Sequence, residues 1–313
     1  MKTRTIGSLE VSVAGIGCNN FGRVIDERRT VEVVAAALDA GVTFFDTADI
    51  YGDGLSEEYL GRALGAHRRE VAIGTKFGML APPPGVGPGS AEWATRSCEN
   101  SLRRLRTDHI DLFMLHQPDP ATPVAETLGA LRALVAAGKA IEVGCSNVTL
   151  ARIGEASAAA ASLGAPGFVS VQNECSLVHQ DDLDEVIPRC ASDGVAYLPF
   201  FPLASGLLTG KYRRDAEPAE GTRLARATPE RRARYFNEAN FDLIDRLSRF
   251  AARHGHTLHE LALSWLASLP GVATVIPGAT SAEQAQANSK AVIAWTLSPA
   301  EMSEVAALSK PVH

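Results

Sequence analysis

Eight short runs rich in β-branched or aromatic residues recur along this chain, and the segments between them carry apolar residues at helical spacing. The runs are VAGIG (13–17), VTFFD (42–46), VAIGTK (71–76), IDLFML (110–115), AIEVGCS (140–146), FVSVQN (168–173), VAYLPF (195–200) and ATVIPG (273–278). Amphipathic or alanine-rich stretches at 30–40, 94–105, 125–137, 183–192 and 258–268 lie between them. Strands that alternate with helices in this way predict an α/β fold, a parallel (β/α)8 TIM barrel.

Boundary residues agree with that reading. Thr257 with Glu260, and Ser298 with Pro299 and Glu301, have the pattern of capping boxes, and Ser56 with Glu57 and Glu58 predicts another helix start. Gly7-Ser8 between RTI and LEV predicts a small hairpin that plugs one end of the barrel, and further helices are expected toward the C-terminus. No composition shift or linker divides the 313 residues, a length that a barrel with insertions accommodates as a single domain, 1–313.

Composition removes several classes of function. A net charge of −6 argues against a general affinity for nucleic acid, whose phosphates need a basic face. No window has the roughly 18 apolar residues of a membrane span, and the N-terminal stretch has no apolar core of signal-peptide length. The expected partner is a small molecule and the expected location cytoplasmic. Five widely spaced cysteines read as buried free thiols, not as a disulfide framework or a zinc knuckle.

Several runs end in a polar residue, and in a parallel barrel those ends share one rim, where barrel enzymes hold their active sites. Asp46, Lys76, His116, Ser146 with Asn147, and Gln172 with Asn173 stand at such ends. Strands about 4.8 Å apart would bring Asp46, Lys76 and His116 side by side. Any one of these residues alone is better read as a cap, an ion pair or a core histidine; several on one rim change that reading. Tyr51, five residues after Asp46, needs help to exchange a proton near neutrality because its ordinary pKa is about 10. A neighbouring ammonium, Lys76, is expected to lower it, with Asp46 holding the lysine and His116 polarising a substrate oxygen.

GVTFFDTADIYG (41–52), TKFG (75–78), LHQPD (115–119), GCSN (144–147), VQNE (171–174), LASGLLTGKY (203–212) and VIPGATS (275–281) occur in the order of one family's motifs. On these the chain resembles the aldo-keto reductases over essentially its whole length. The resemblance implies a catalytic tetrad of Asp46, Tyr51, Lys76 and His116, hydride transfer to an aldehyde or ketone with Tyr51 as general acid, and no metal. It also implies a nicotinamide cofactor: NADP(H), with NAD(H) as the alternative, since 278–288 holds no lysine or arginine. Ser146, Asn147 and Gln172 then fall on the nicotinamide carboxamide, with Phe200 against the ring, and Asn19 and Asp46 are further cofactor contacts. Phe201, Pro202, Leu203, Ser205, Lys211 and Arg223 follow the pyrophosphate, and Gly278, Thr280, Gln284 and Asn288 the adenosine.

The segment 211–234 holds eight basic residues against four acidic ones, which predicts a positive lid over phosphates. The loop 79–93, Trp93 included, and the stretch 18–22 are expected to shape the substrate pocket. GIGCNNFG and GLLTGKY miss the spacing of dinucleotide and phosphate loops, and the histidines at 254, 256 and 259 read as a surface helix start. Two other functions remain open: a regulatory subunit resembling potassium-channel β subunits, which share the barrel and much of the tetrad, and a Schiff-base lyase using Lys76.

Overall fold

The computed structural model describes residues 1–309; the last four residues of the expected domain, 310–313, lie outside the described residues. Two antiparallel strands, β1 (Thr3–Ile6) and β2 (Leu9–Ser12), open the chain as the expected hairpin, turning at Gly7 with φ +57°. Seven parallel strands follow in chain order: β3 (Ile16–Gly17), β4 (Phe44–Asp46), β5 (Ala72–Phe77), β6 (Ile110–Leu115), β7 (Ala140–Ser146), β8 (Ser170–Glu174) and β9 (Ala196–Phe200). Helices α1 (Glu27–Asp39), α2 (Leu55–Leu64), α3 (Ala91–Leu105), α4 (Val124–Ala136), α5 (Leu150–Leu163) and α6 (Val186–Asp193) lie between these strands in sequence. After β9 come α7 (Pro229–Tyr235), α8 (Glu238–Arg253), α9 (Leu258–Ser268), α10 (Ala282–Ile293) and α11 (Pro299–Ser309).

The eighth run stands where an eighth strand belongs but forms single bridges in place of a continuous ladder. Val272 pairs with Tyr197 of β9, Val275 with Ala14, and Gly278 with Gly17 of β3, all parallel, so the segment joins both edges of the sheet. Two local features limit a regular strand. Pro277 has no N–H to donate, and the backbones approach so closely that a Cβ on Gly17 would stand 2.9 Å from the Ile276 carbonyl oxygen.

The floor of the barrel is apolar. Ile6 and Val11 of the hairpin pack with Phe44, Leu112, Met114 and Leu198 in one cluster, with Ile6, Val11 and Phe44 fully buried. Arg4 donates to the carbonyls of Val272 and Ala267, and the Ser8 N–H donates to Glu142 Oε1 at 2.8 Å, pinning the plug in place. Because side chains alternate along a strand, the register that aligns Asp46 with Gly74, Lys76 with Met114, and Ser146 with Gln172 sets the inward-facing positions at the opposite rim.

All three predicted helix starts form, the third as α2 with Glu57 and Glu58 in its first turn. Thr257 and Glu260 make a capping box, and Ser298 and Glu301 exchange the same pair of bonds. Ser56 does not cap. The N-cap of α2 is Gly54, in the left-handed region, while Ser56 Oγ donates to the Cys18 carbonyl and bonds Thr47, tying α2 to the rim. The five cysteines are buried free thiols. No helix among the described residues is long and apolar enough to cross a membrane.

Candidate active site

Asp46 ends β4, Lys76 stands one residue before the end of β5, and His116 follows β6, so three neighbouring strands deliver them to one place. Lys76 has no exposed surface, and its ammonium donates to both Asp46 carboxylate oxygens at 2.8 Å and to the Thr47 carbonyl at 2.7 Å. Gln172, inward-facing on β8, donates from Nε2 to Asp46 Oδ1 at 2.9 Å. Tyr51 completes the group: Lys76 Nζ stands 5.3 Å from its ring centroid, and the His116 ring meets it edge-on at 5.8 Å.

Burial alone would favour a neutral Lys76, but the Asp46 carboxylate and the Tyr51 phenol outweigh it and raise its pKa above the ordinary lysine value. The lysine is held as an ammonium. Tyr51 departs from the expectation that this ammonium makes it more acidic. Burial raises its pKa first, Asp46 adds to that, and Lys76, the Asn19 amide and Arg223 offset only part, so the phenol holds its proton above the usual tyrosine range. Burial and then Lys76 push His116 down to about 3, leaving a neutral imidazole whose Nδ1 has no partner among the described residues. Behind the tetrad, Asp49 is buried with both carboxylate oxygens unpartnered among the described residues. Burial, then the Glu57 carboxylate, raise its pKa to about 7.

A cavity of about 1090 Å³ opens above these groups. It is lined by Asp46, Tyr51 and His116, by Asn19, Ser146, Asn147 and Gln172, by Phe200, Phe201, Pro202, Leu203, Ser205, Lys211 and Arg223, and by Gly278, Thr280, Gln284 and Asn288. The tetrad's Lys76 lies beneath the lining.

Backbone geometry along the wall is specialised. Phe201, Ala204 and Ser205 adopt φ of +51°, +47° and +60°, a conformation costing non-glycine residues roughly 1 kcal/mol or more each. A Cβ on Gly206 would meet Lys211 Nζ at 2.8 Å, so glycine at this position leaves room for the lysine. At the far wall Ser281 caps α10, and Gln284 Oε1 accepts from the Thr280 N–H at 2.9 Å. The Asn288 amide bridges the Gly278 carbonyl at 3.2 Å and His259 Nε2 at 2.8 Å.

A model of the Aldo/keto reductase family matches residues 14–310. The chain belongs to the aldo/keto reductase family. It is 34% identical over 306 residues to a probable voltage-gated potassium channel subunit beta of Arabidopsis thaliana, covering 93% of this chain and 91% of that one. With the L-glyceraldehyde 3-phosphate reductase of Escherichia coli (strain K12) it shares 32% over 299 residues, 92% and 85% of the two chains. The aldo-keto reductase AKR11C1 from Bacillus halodurans, in its holo form, superposes with a TM-score of 0.81 at 30% identity, covering 99% of this chain and 97% of that one. Membership makes the chain an oxidoreductase of the aldo/keto reductase type, a family that generally uses nicotinamide cofactors.

Within this aldo/keto reductase some expected pocket residues lie elsewhere. Trp93 is buried on α3 and does not line the cavity; of the loop 79–93 only Met79 does. Of 18–22, Asn19 and Asn20 line it, while Cys18 and Phe21 turn into the core. His259 is half-buried in the cavity wall, not a surface residue, because α9 packs along α10 and carries it to Asn288. Arg23, Arg226 and Arg231 also line the cavity and were not anticipated individually.

Proposed function

We propose that this chain is an NADP(H)-dependent reductase of aldehydes and ketones, built as a single domain over 1–313, in which Tyr51 is the general acid. One observation carries the reading. A phenol and an imidazole on the floor of one large cavity stand beside a buried ammonium that a carboxylate clamps from beneath. This is the set of groups that transfer of one proton to a carbonyl oxygen requires.

The residues present suit a nicotinamide dinucleotide. The Ser205 hydroxyl is buried and without a partner among the described residues, at the turn of left-handed residues. Lys211 and Arg223, neither in an ion pair with the chain's own carboxylates among the described residues, suit the two charges of a pyrophosphate. Ser146, Asn147 and Gln172 would hold the carboxamide, and Phe200 the ring. Gly278, Thr280, Gln284, Asn288 and the start of α10 would take the adenosine end, where a helix N-terminus favours a 2′-phosphate. NAD(H) is the alternative, because that end lacks a lysine or arginine between 278 and 288.

When bound, the reduced nicotinamide supplies the hydride. The chain supplies the rest. Tyr51 Oη gives its proton to the carbonyl oxygen as negative charge grows there, and the neutral His116 ring donates a hydrogen bond to the same oxygen. Lys76 stabilises the phenolate left behind, and Asp46, braced by Gln172, fixes the lysine. A Schiff-base role for Lys76 is disfavoured, because all three of its N–H groups are engaged and its pKa is raised. The regulatory-subunit reading shares this site, so turnover decides between the two.

The test follows nicotinamide absorbance with NADPH and NADH against a panel of aldehydes, ketones, sugars and pyridoxal. Tyr51→Phe is expected to lose roughly 10²–10⁴-fold in kcat with cofactor affinity within a few-fold of wild type. Unchanged turnover in Tyr51→Phe would remove the assigned acid.

A further inference from the structure

The cavity holds cations beyond those assigned to the dinucleotide, whose 2′-phosphate is placed at the start of α10. Lys211 and Arg223 can balance a pyrophosphate, yet Arg23, Arg226 and Arg231 line the same space. Each is exposed, and among the described residues none has a carboxylate within the 4.0 Å of an ion pair. Asp53 and Glu220 also line the cavity but stand outside that distance from all three.

Three of these cations, Arg223, Arg231 and Arg23, converge. The Arg223 and Arg231 guanidiniums lie 4.8 and 5.1 Å from the centroid of one ring, Phe201. Burial lowers the Arg223 pKa, and Arg231 and Arg23 lower it further, as like charges crowded together must. Arg23 has a definite place beside the chemistry. It sits in a tight loop closed by the Phe21–Ile25 bridge, with the Gly22 N–H donating to the Ile25 carbonyl at 3.0 Å. That loop presses on the one bearing Tyr51, so closely that a Cβ on Gly52 would stand 3.0 Å from the Gly22 carbonyl carbon. Arg223, which donates to Asn19 Oδ1 at 3.3 Å, spans the gap between the two sides.

Unpaired guanidiniums at a cavity mouth suit a tetrahedral dianion, whose three oxygens accept from several of them at once. Resting on the reductase reading above, we propose that the carbonyl substrate carries a phosphate monoester, held by Arg23 together with Arg226 and Arg231 while its carbonyl lies at Tyr51. The phosphate takes no part in the reaction; it anchors and orients.

The experiment compares glyceraldehyde 3-phosphate, glyceraldehyde and succinic semialdehyde at saturating NADPH, for the full-length wild type, Arg23→Ala and Arg23→Lys. Wild type is expected to favour the phosphorylated aldehyde over its parent by at least tenfold in kcat/KM, mainly through KM. Arg23→Ala is expected to lose most of that ratio, and Arg23→Lys to restore part of it. In parallel, calorimetry titrates glycerol 3-phosphate into the NADP-loaded proteins, where wild type should bind at least tenfold more tightly than Arg23→Ala.

Equal kcat/KM for the two aldehydes in wild type overturns the proposal, as does a preference for the carboxylate compound. Weakened NADPH binding in Arg23→Ala, read by fluorescence quenching, overturns it in favour of a cofactor contact. If wild type reduces none of the three, the reductase reading loses support, and the calorimetry still decides: tight, Arg23-dependent binding of glycerol 3-phosphate upholds the phosphate site, and its absence ends it.

Discussion

A lysine with no exposed surface is stable as a cation only because its neighbours make it so, and Lys76 has one carboxylate, one carbonyl and one phenol to do this. Lys76→Met leaves Asp46 buried and uncompensated, so it should cost about 3–5 kcal/mol of stability as well as activity. Chemical denaturation checks the first loss and turnover the second. Asp49 gives the opposite case, a carboxyl that burial and the nearby Glu57 carboxylate raise to about 7. Between the unfolded carboxyl value of about 3.9 and that folded value, the folded chain binds more protons than the unfolded one, so this group's contribution falls as pH rises. Asp49→Asn should therefore raise Tm by a few degrees at pH 8 and change it little at pH 4; the same difference at both pH values would contradict the assignment.

At the scale of elements, legibility followed the period of the chain. Polar residues ending apolar runs marked Asp46, Lys76, His116 and Gln172, because strand alternation puts each on the inner face. Helix α9 is legible in the sequence to both ends because a capping box and an apolar stripe agree there. Other positions depend on contacts between elements far apart in sequence. His259 reaches the cavity only because α9 lies along α10, and Arg23 only because one loop leans on another. The loop 79–93 reaches the cavity only at Met79, because proline and glycine signal irregular backbone without saying which way it turns. Packing between α2 and α3 offers a direct check. A Cβ on Gly61 would come within 2.4 Å of the Leu105 carbonyl oxygen, so Gly61→Ala should destabilise by about 1–3 kcal/mol through separation of the two helices. KM should stay near wild type, since neither residue borders the cavity.

For the molecule as a whole, the division of labour runs along the barrel axis. The hairpin and its apolar cluster occupy the base, the titratable groups the rim, and the arginines the mouth. The net charge of the chain is negative, yet the cavity mouth is locally positive, a contrast legible in the basic segment 211–234 but not in the overall count.

The isolated bridges of 272–278 leave a seam between first and last strands, held by a few bonds such as Val275 N–H to Val13 and Ala273 N–H to Tyr197. If the barrel breathes, it should unzip there, and a dinucleotide reaching from Gly278 to Ser205 would act as a staple across the gap. Amide exchange at Ala273 and Val275 should slow several-fold on adding NADP(H), more than at the centres of β5 and β6. Cofactor occupancy would then govern the working lifetime of the fold as well as its chemistry.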